Sequence, residues 1–173
     1  RMSRHYTWAV VASLFLSLST VAQADTFPLN NLHLEDNPKI IYRVSPSDFH
    51  RIIARVKREF EPIVRSYGAT LQVEEAWSDS TVNAYPKRPS PDVWVVRMFG
   101  GLARRKEMTQ DGFALVMCHE LGHHLAGYPL KGPLGNPWSA SEGQADYWST
   151  QVCARKIWWN DREENARHRL IVD

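Results

Sequence analysis

The chain carries a helical pattern of hydrophobic residues between residues 49 and 67. Apolar side chains recur there at intervals of three and four, which predicts an amphipathic helix with one buried face. Ser47 or Asp48 can cap its first turn, and Gly68 can end it. Pro62 falls inside the pattern and predicts a kink, because proline removes one backbone donor.

Short runs of apolar and β-branched residues predict strands in the same half of the chain, at residues 40–44, 71–77, 81–85 and 93–99. Pro86, Pro89 and Pro91 separate the last two of these runs. Strands of this length and spacing favour a small sheet, either antiparallel or mixed.

Two further helices are predicted after the strands. Thr109 is a good N-cap for the first of them, which contains a rich apolar run at residues 113–126. After a loop rich in proline and glycine, Ser139 or Ser141 begins the last helix, which extends to about residue 159. With the N-terminal helix and the small sheet, this order predicts an α+β fold.

The first 24 residues have the pattern of a secretory signal peptide, with the small residues Ala22 and Ala24 before Asp25. We expect cleavage between Ala24 and Asp25, and a single domain from residues 25–173 that is periplasmic or secreted. An uncleaved anchor is the alternative, although the apolar run is shorter than the roughly 18 residues that span a bilayer. The chain ends soon after the last predicted helix, so truncation at the C-terminus is a further alternative.

The charges of the chain nearly balance, with 21 Lys and Arg against 19 Asp and Glu. Signal cleavage removes Arg1 and Arg4 and no acidic residue, which leaves a nearly neutral chain. Such a chain has no general attraction to nucleic acid or anionic lipid, so we expect neither nucleic-acid binding nor stable membrane insertion. The basic run Arg104-Arg105-Lys106 is interpreted as a solvated loop.

His119, Glu120 and His123 form a His-Glu-x-x-His motif on the first of the two later helices. Four residues advance a helix by about 400 degrees, so both imidazoles leave the same face and can bind one Zn²⁺ ion. Glu120 then lies beside the metal, where it can act as general base towards a water molecule that zinc activates. His124 points about 100 degrees away from His123 and is interpreted as a packed or surface residue.

Glu142 is the best candidate for a third zinc ligand, because it begins the last helix after a loop long enough to return the chain to the motif. Asp146 follows one turn later, where its carboxylate can accept the second N–H of a ligating histidine. The alternative is that both acids only stabilise a helix N-terminus.

The motif of His119, Glu120 and His123 followed by Glu142 and Asp146 resembles the gluzincin metallopeptidases. In that family the second helix supplies a glutamate ligand and an aspartate that supports a ligating histidine. Two further stretches look like the HtpX and CAAX-prenyl-protease branch: Val82-Asn83-Ala84-Tyr85 and Gly100-Gly101-Leu102. That branch is usually embedded in membrane, whereas this sequence has no internal transmembrane helix, so it resembles a soluble, exported relative.

The resemblance implies that the strand before the motif helix, residues 93–99, lies at the sheet edge and pairs with an extended substrate. Endopeptidase activity on unfolded or flexible segments would follow; a strand covered by the core is the alternative. Resembling enzymes often use His or Tyr to stabilise the transition state, and Tyr147 and His168 are the candidates here. Trp138 is interpreted as a core residue or as part of a substrate pocket.

Cys118 and Cys153 are the only cysteines of the chain. Thiols usually pair in an oxidising compartment, and both residues fall on stripes of the two metal-bearing helices that can face each other. A disulfide between them is one interpretation, and two buried free thiols are the other. Gly122 shares the stripe of Cys118 and would let the two helices approach closely.

Three functions fit these observations. A zinc endopeptidase acting on protein or peptide substrates is favoured. An exported zinc hydrolase of non-peptide or cell-wall amides is the second, and a binding module that keeps zinc only for structure is the third. Glu120 argues against the third, because a purely structural site needs no general base.

Overall fold

The computed structural model describes residues 31–132 and 136–172, with side chains described up to residue 167. The expected signal peptide, residues 1–24, and its cleavage site lie outside the described residues. Within those ranges, no helix combines the length and the apolar character that a membrane crossing requires.

The described residues form an α+β fold with a small mixed sheet, which confirms the predicted class. Its helices are α1 (Pro46–Ser66), α2 (Gly100–Ala103), α3 (Gln110–Leu125), α4 (Glu142–Trp148), α5 (Arg155–Ile157) and α6 (Arg162–Val172). A π-helical turn, Ser149–Ala154, joins α4 to α5 without a break. Its strands are β1 (Thr70–Ala76), β2 (Ala84–Ser90) and β3 (Val93–Phe99).

Helix α1 begins with a capping box at Ser45, earlier than the predicted Ser47 or Asp48. The Ser45 hydroxyl accepts a hydrogen bond from the Asp48 backbone N–H, and the Asp48 carboxylate accepts one from the Ser45 backbone N–H. Gly68 follows the helix with a φ of 75°, a conformation that favours glycine. Most of the predicted apolar face is buried, and its last residue, Tyr67, is exposed. The buried residues are Phe49, Ile52, Ile53, Val56, Phe60 and Val64.

The sheet has the order β1-β3-β2, so β3 is its central strand. It pairs in parallel with β1 and antiparallel with β2. The expectation that residues 93–99 lie at the sheet edge is therefore wrong, because both sides of β3 already carry neighbouring strands. Beside the motif helix α3, the edge strand is β2.

Two of the predicted strands differ from the structure. Residues 40–44 form no strand and instead lead irregularly into α1. The strand predicted at residues 81–85 begins at Ala84 and continues through Pro86 and Pro89 to Ser90. Proline is tolerated there because an edge strand has backbone positions that need no ladder hydrogen bond.

Helix α3 lies at the centre of the molecule, in contact with α1, α4, the π-helical turn, β2 and β3. Its side chains Phe113, Met117 and Leu121 are fully buried, and the Phe113 ring packs 5.1 Å from that of Phe49 on α1. The Thr109 hydroxyl caps its first turn by accepting from the Gly112 N–H, as predicted. The motif residues are thus carried by a helix that other elements enclose on several sides.

The last predicted helix is present, and Ser141 caps its first turn by accepting from the Gln144 N–H. It runs through α4, the π-helical turn and α5 to Ile157, close to the predicted end. Helix α6 follows it and was not predicted, because its sequence is mostly polar and carries no clear apolar period.

Arg104 corrects the interpretation of the basic run as a solvated loop. Its side chain is buried, and its guanidinium donates to the backbone carbonyls of Leu34, Trp77 and Asp79 at 2.8, 2.8 and 3.1 Å. Arg104 therefore joins the N-terminal segment to the β1–β2 connection, and it is not available as a binding patch.

Replacing Arg104 by Met should destabilise the fold by about 3 kcal/mol or more, because three backbone carbonyls would lose a charged donor. Arg105→Met is the matched control, since the Arg105 side chain is 39% exposed and forms a surface ion pair with Glu107. Urea unfolding of both variants measures the difference. Equal midpoints would contradict the structural role of Arg104.

Candidate metal centre

His119 and His123 lie one turn apart on α3 and share the face that is turned towards α4. Their ring centroids are 4.7 Å apart and their planes are nearly perpendicular, at 88°. The His123 side chain is 3% exposed and that of His119 is 21% exposed. The pair therefore lies at the border between the core and solvent, with His119 on the outer side.

Glu142, the first residue of α4, brings a carboxylate oxygen to both rings. Its Oε2 lies 3.0 Å from His119 Nε2 and 3.4 Å from His123 Nε2. Atoms bound tetrahedrally to zinc at 2.0–2.1 Å would be about 3.3 Å apart. His119, His123 and Glu142 each offer one candidate ligand atom, and these three atoms lie within 4.8 Å of one another. Their spacing fits a single small cation.

The other nitrogen of each ring is already hydrogen-bonded to an acceptor. His119 Nδ1 lies 2.7 Å from Asp146 Oδ1, and His123 Nδ1 lies 2.8 Å from the Ala140 carbonyl oxygen. Because both partners accept, each Nδ1 must carry the proton, and a neutral ring then presents its lone pair at Nε2.

The three inward-facing atoms are consequently all acceptors, and they repel one another unless a proton or a cation lies between them. Burial lowers the pKa of His123; the hydrogen bond to the Ala140 carbonyl and the charge of Glu142 oppose this shift without cancelling it. Protonation of that ring is therefore disfavoured. Two imidazole nitrogens and one carboxylate oxygen fit a divalent cation with nitrogen preference, such as Zn²⁺.

Glu120 is 8% exposed, although it belongs to a charged residue type. Burial raises the pKa of its carboxyl to about 7; the charge of His119 opposes this rise, and that of Glu142 adds to it. A carboxyl with a pKa near neutrality can both accept and donate a proton under physiological conditions.

Lys131 belongs to the cluster and was missed by the sequence analysis. Its Nζ lies 2.6 Å from Oε1 of Glu142, the oxygen that does not face the histidines. Burial alone would raise the pKa of Glu142, but the hydrogen bond from Lys131 and the nearby charges lower it below its usual value. The signal was present in the sequence, since Lys131 is the only charged residue between His124 and Glu142.

His124 is packed inside the fold, which agrees with its interpretation as a non-ligand. Its ring is stacked between Trp94 and Trp138, at centroid distances of 5.5 and 4.9 Å. Arg88 Nε donates to its Nδ1, and its Nε2 donates to the Val95 carbonyl. Burial lowers the pKa of His124 to about 4, so the ring is neutral. Trp138 thus contributes to this stack, and it anchors the α3–α4 loop to the sheet.

The two helices of the cluster are held together at two points. A disulfide joins Cys118 on α3 to Cys153 in the π-helical turn, with the Cα atoms 5.7 Å apart. At Gly122, a Cβ atom would lie 2.9 Å from the Ala145 carbonyl oxygen, so only glycine allows this approach. The disulfide interpretation of the two cysteines and the expected role of Gly122 both match the structure.

Of the two candidates for a transition-state donor, Tyr147 is not brought to the cluster. Tyr147 follows Asp146 on α4, its side chain is exposed, and no contact among the described residues joins its hydroxyl to the candidate ligands. His168 is part of α6, and its side chain lies outside the described part of the chain.

No protein family, no curated protein and no solved structure matches this chain.

Replacing Gly122 by Ala should force α3 and α4 apart and cost about 1–3 kcal/mol, as overpacking does. Metal affinity should fall with it, because Glu142 moves away from the histidines. Gly143→Ala is the matched control, since no atom lies within 4 Å of the Cβ that it would add. Zinc titration and chemical unfolding measure both effects. Unchanged affinity and stability in Gly122→Ala would contradict the close contact.

Proposed function

We propose that this chain is a zinc-dependent endopeptidase that acts on protein or peptide substrates. One observation carries the proposal: Nε2 of His119, Nε2 of His123 and Oε2 of Glu142 face one another, while both Nδ1 atoms are bound to acceptors. This arrangement leaves three lone pairs directed at one point, and a cation is the partner that satisfies all of them.

The donor set favours zinc over the other common divalent cations. Calcium and magnesium take oxygen ligands, whereas two imidazoles with one carboxylate are a common set for catalytic zinc. Three protein ligands leave a fourth position for water or substrate. The Glu142 side chain is 50% exposed, so that position can be reached from solvent.

A Zn²⁺ ion bound to these residues would supply a Lewis acid that polarises a carbonyl and lowers the pKa of a bound water to about 7. Glu120 accepts a proton from the attacking water as its oxygen forms a bond to the scissile carbonyl carbon. The carbon–nitrogen bond then breaks, and Glu120 passes the proton to the leaving amine nitrogen. Asp146 and the Ala140 carbonyl hold the two imidazoles in the tautomer that this arrangement requires.

The position of the edge strand β2 is an argument for a peptide substrate. It packs against α3, and its outer side has no partner strand among the described residues. An extended peptide could pair with that side through backbone hydrogen bonds. Because Pro86 and Pro89 lack an N–H group, pairing at these residues would depend on carbonyl oxygens of the chain and N–H groups of the substrate.

The same proposal includes membership of the gluzincin metallopeptidases and export to the periplasm or the extracellular space. Glu142 lies beside His119 and His123, and Asp146 lies beside Nδ1 of His119, which supports the roles that the resemblance implies for these two acids. A disulfide between Cys118 and Cys153 is compatible with an oxidising compartment, such as the periplasm or the extracellular space.

Digestion of unfolded casein and of purified peptidoglycan, each with and without a chelator, separates the candidate activities. We expect the protein to cleave casein and a chelator to abolish this cleavage. Cleavage of peptidoglycan alone would instead identify a cell-wall amide hydrolase, and zinc binding without hydrolysis of either material would identify a non-catalytic module.

Replacing Glu120 by Gln should lower the hydrolysis rate by about 100-fold to 10,000-fold, because the general base is lost. Zinc should remain bound, because no metal ligand changes. Asp146→Asn should cost only about 10-fold to 100-fold, and it should also weaken zinc binding. Steady-state rates and zinc content measured on the same samples test this order. A Glu120→Gln variant with more than about a tenth of the wild-type rate at full zinc occupancy would exclude Glu120 as the base.

A further inference from the structure

The two oxygens of the Glu142 carboxylate have different partners. Oε2 faces the imidazoles of His119 and His123, and Oε1 lies 2.6 Å from the ammonium group of Lys131. The distance is that of a short hydrogen bond between two charged groups, which is among the stronger hydrogen bonds in proteins. The Lys131 side chain is only 32% exposed, so part of its stem is packed against the protein.

The backbone around Lys131 is fixed by pairing within the α3–α4 loop. Its N–H donates to the Ser139 carbonyl at 2.9 Å, and the neighbouring Leu130 forms an antiparallel bridge with Ala140. The Ala140 carbonyl oxygen accepts the Nδ1 hydrogen bond of His123. The paired segment of Leu130 and Lys131 with Ser139 and Ala140 therefore places Lys131 beside Glu142. The same segment supplies the carbonyl that holds His123.

We propose that Lys131 is a positioning residue, which holds Glu142 as a ligand through one oxygen and keeps the fourth metal position open. This inference rests on the proposed zinc site. A carboxylate can bind a metal ion through one oxygen or through both. If both oxygens of Glu142 bound, the protein would supply four donor atoms, and the water that the reaction needs could bind only as a fifth ligand.

The charges around the cluster agree with this role. Three carboxylates surround it, those of Glu120, Glu142 and Asp146. When all three are ionised, a divalent cation and the Lys131 ammonium together balance their charge. An uncharged residue at position 131 would leave an excess of negative charge, which favours closer contact between the second Glu142 oxygen and the metal.

Substitution of Co²⁺ into the wild type and into Lys131→Met and Lys131→Arg tests the proposal. Met has a similar length without charge, whereas Arg keeps a donor for Oε1. We expect the wild type and Lys131→Arg to show the intense visible absorption of four-coordinate cobalt. Lys131→Met should show the weaker absorption of five-coordinate cobalt, together with a loss of about 10-fold to 100-fold in kcat. Lys106→Met, at a residue 92% exposed, is the control for loss of a lysine charge.

The outcomes separate this inference from the proposed function. An unchanged four-coordinate spectrum in folded Lys131→Met would overturn the role of Lys131, whatever the activity. The expected change of spectrum without hydrolysis of any substrate by the wild type would support Lys131 and overturn the endopeptidase. Failure of the wild type to bind Co²⁺ or Zn²⁺ would overturn both.

Discussion

Helices α3 and α4 approach so closely at Gly122 and Ala145 that a single methyl group would separate them. This contact sets the distance across which Glu142 meets the two histidines of α3. The disulfide between Cys118 and Cys153 joins the same pair of segments on the same stripe of α3. A metal centre of three side chains from two helices needs such a contact, since shifts of a few tenths of an ångström already exceed the tolerance of metal–ligand bonds.

Hydrogen bonding adds a second constraint to this packing. Every ring nitrogen of the cluster that points away from Glu142 already has an acceptor, and Lys131 occupies the outer oxygen of Glu142. The inner atoms are left with lone pairs alone, and a partly buried set of acceptors is costly without a donor or a cation. The zinc proposal follows from this imbalance together with the nitrogen-rich donor set. In the proposed mechanism, the neighbouring carboxyl of Glu120, with its raised pKa, is the base.

Features set by local geometry could be predicted from the sequence, whereas features set by strand order and loop path could not. The four-residue spacing of His119 and His123 fixes a common helix face, and the same spacing relates Glu142 to Asp146. Strand β3 was expected at a sheet edge, but edge position depends on which strands pair, and no periodicity in residues 93–99 encodes it.

The contribution of Lys131 was missed for a similar reason. Its place beside Glu142 depends on the pairing of Leu130 with Ala140 across the loop, which leaves only a weak pattern in the sequence. The strand predicted at residues 40–44 failed because its apolar residues do not share one buried face: Ile40 is 53% exposed, whereas Val44, which a strand would place on the same face, is fully buried.

X-ray absorption spectroscopy of the zinc-loaded protein tests the central claim most directly, because it reports the atoms bound to the ion without any assumption about activity. We expect one zinc per chain with two imidazole nitrogens and oxygen atoms completing a four-coordinate shell, at distances of about 2.0–2.2 Å. A shell that contains sulfur, a six-coordinate oxygen shell, or a spectrum unchanged in His123→Ala would contradict the assignment of His119, His123 and Glu142.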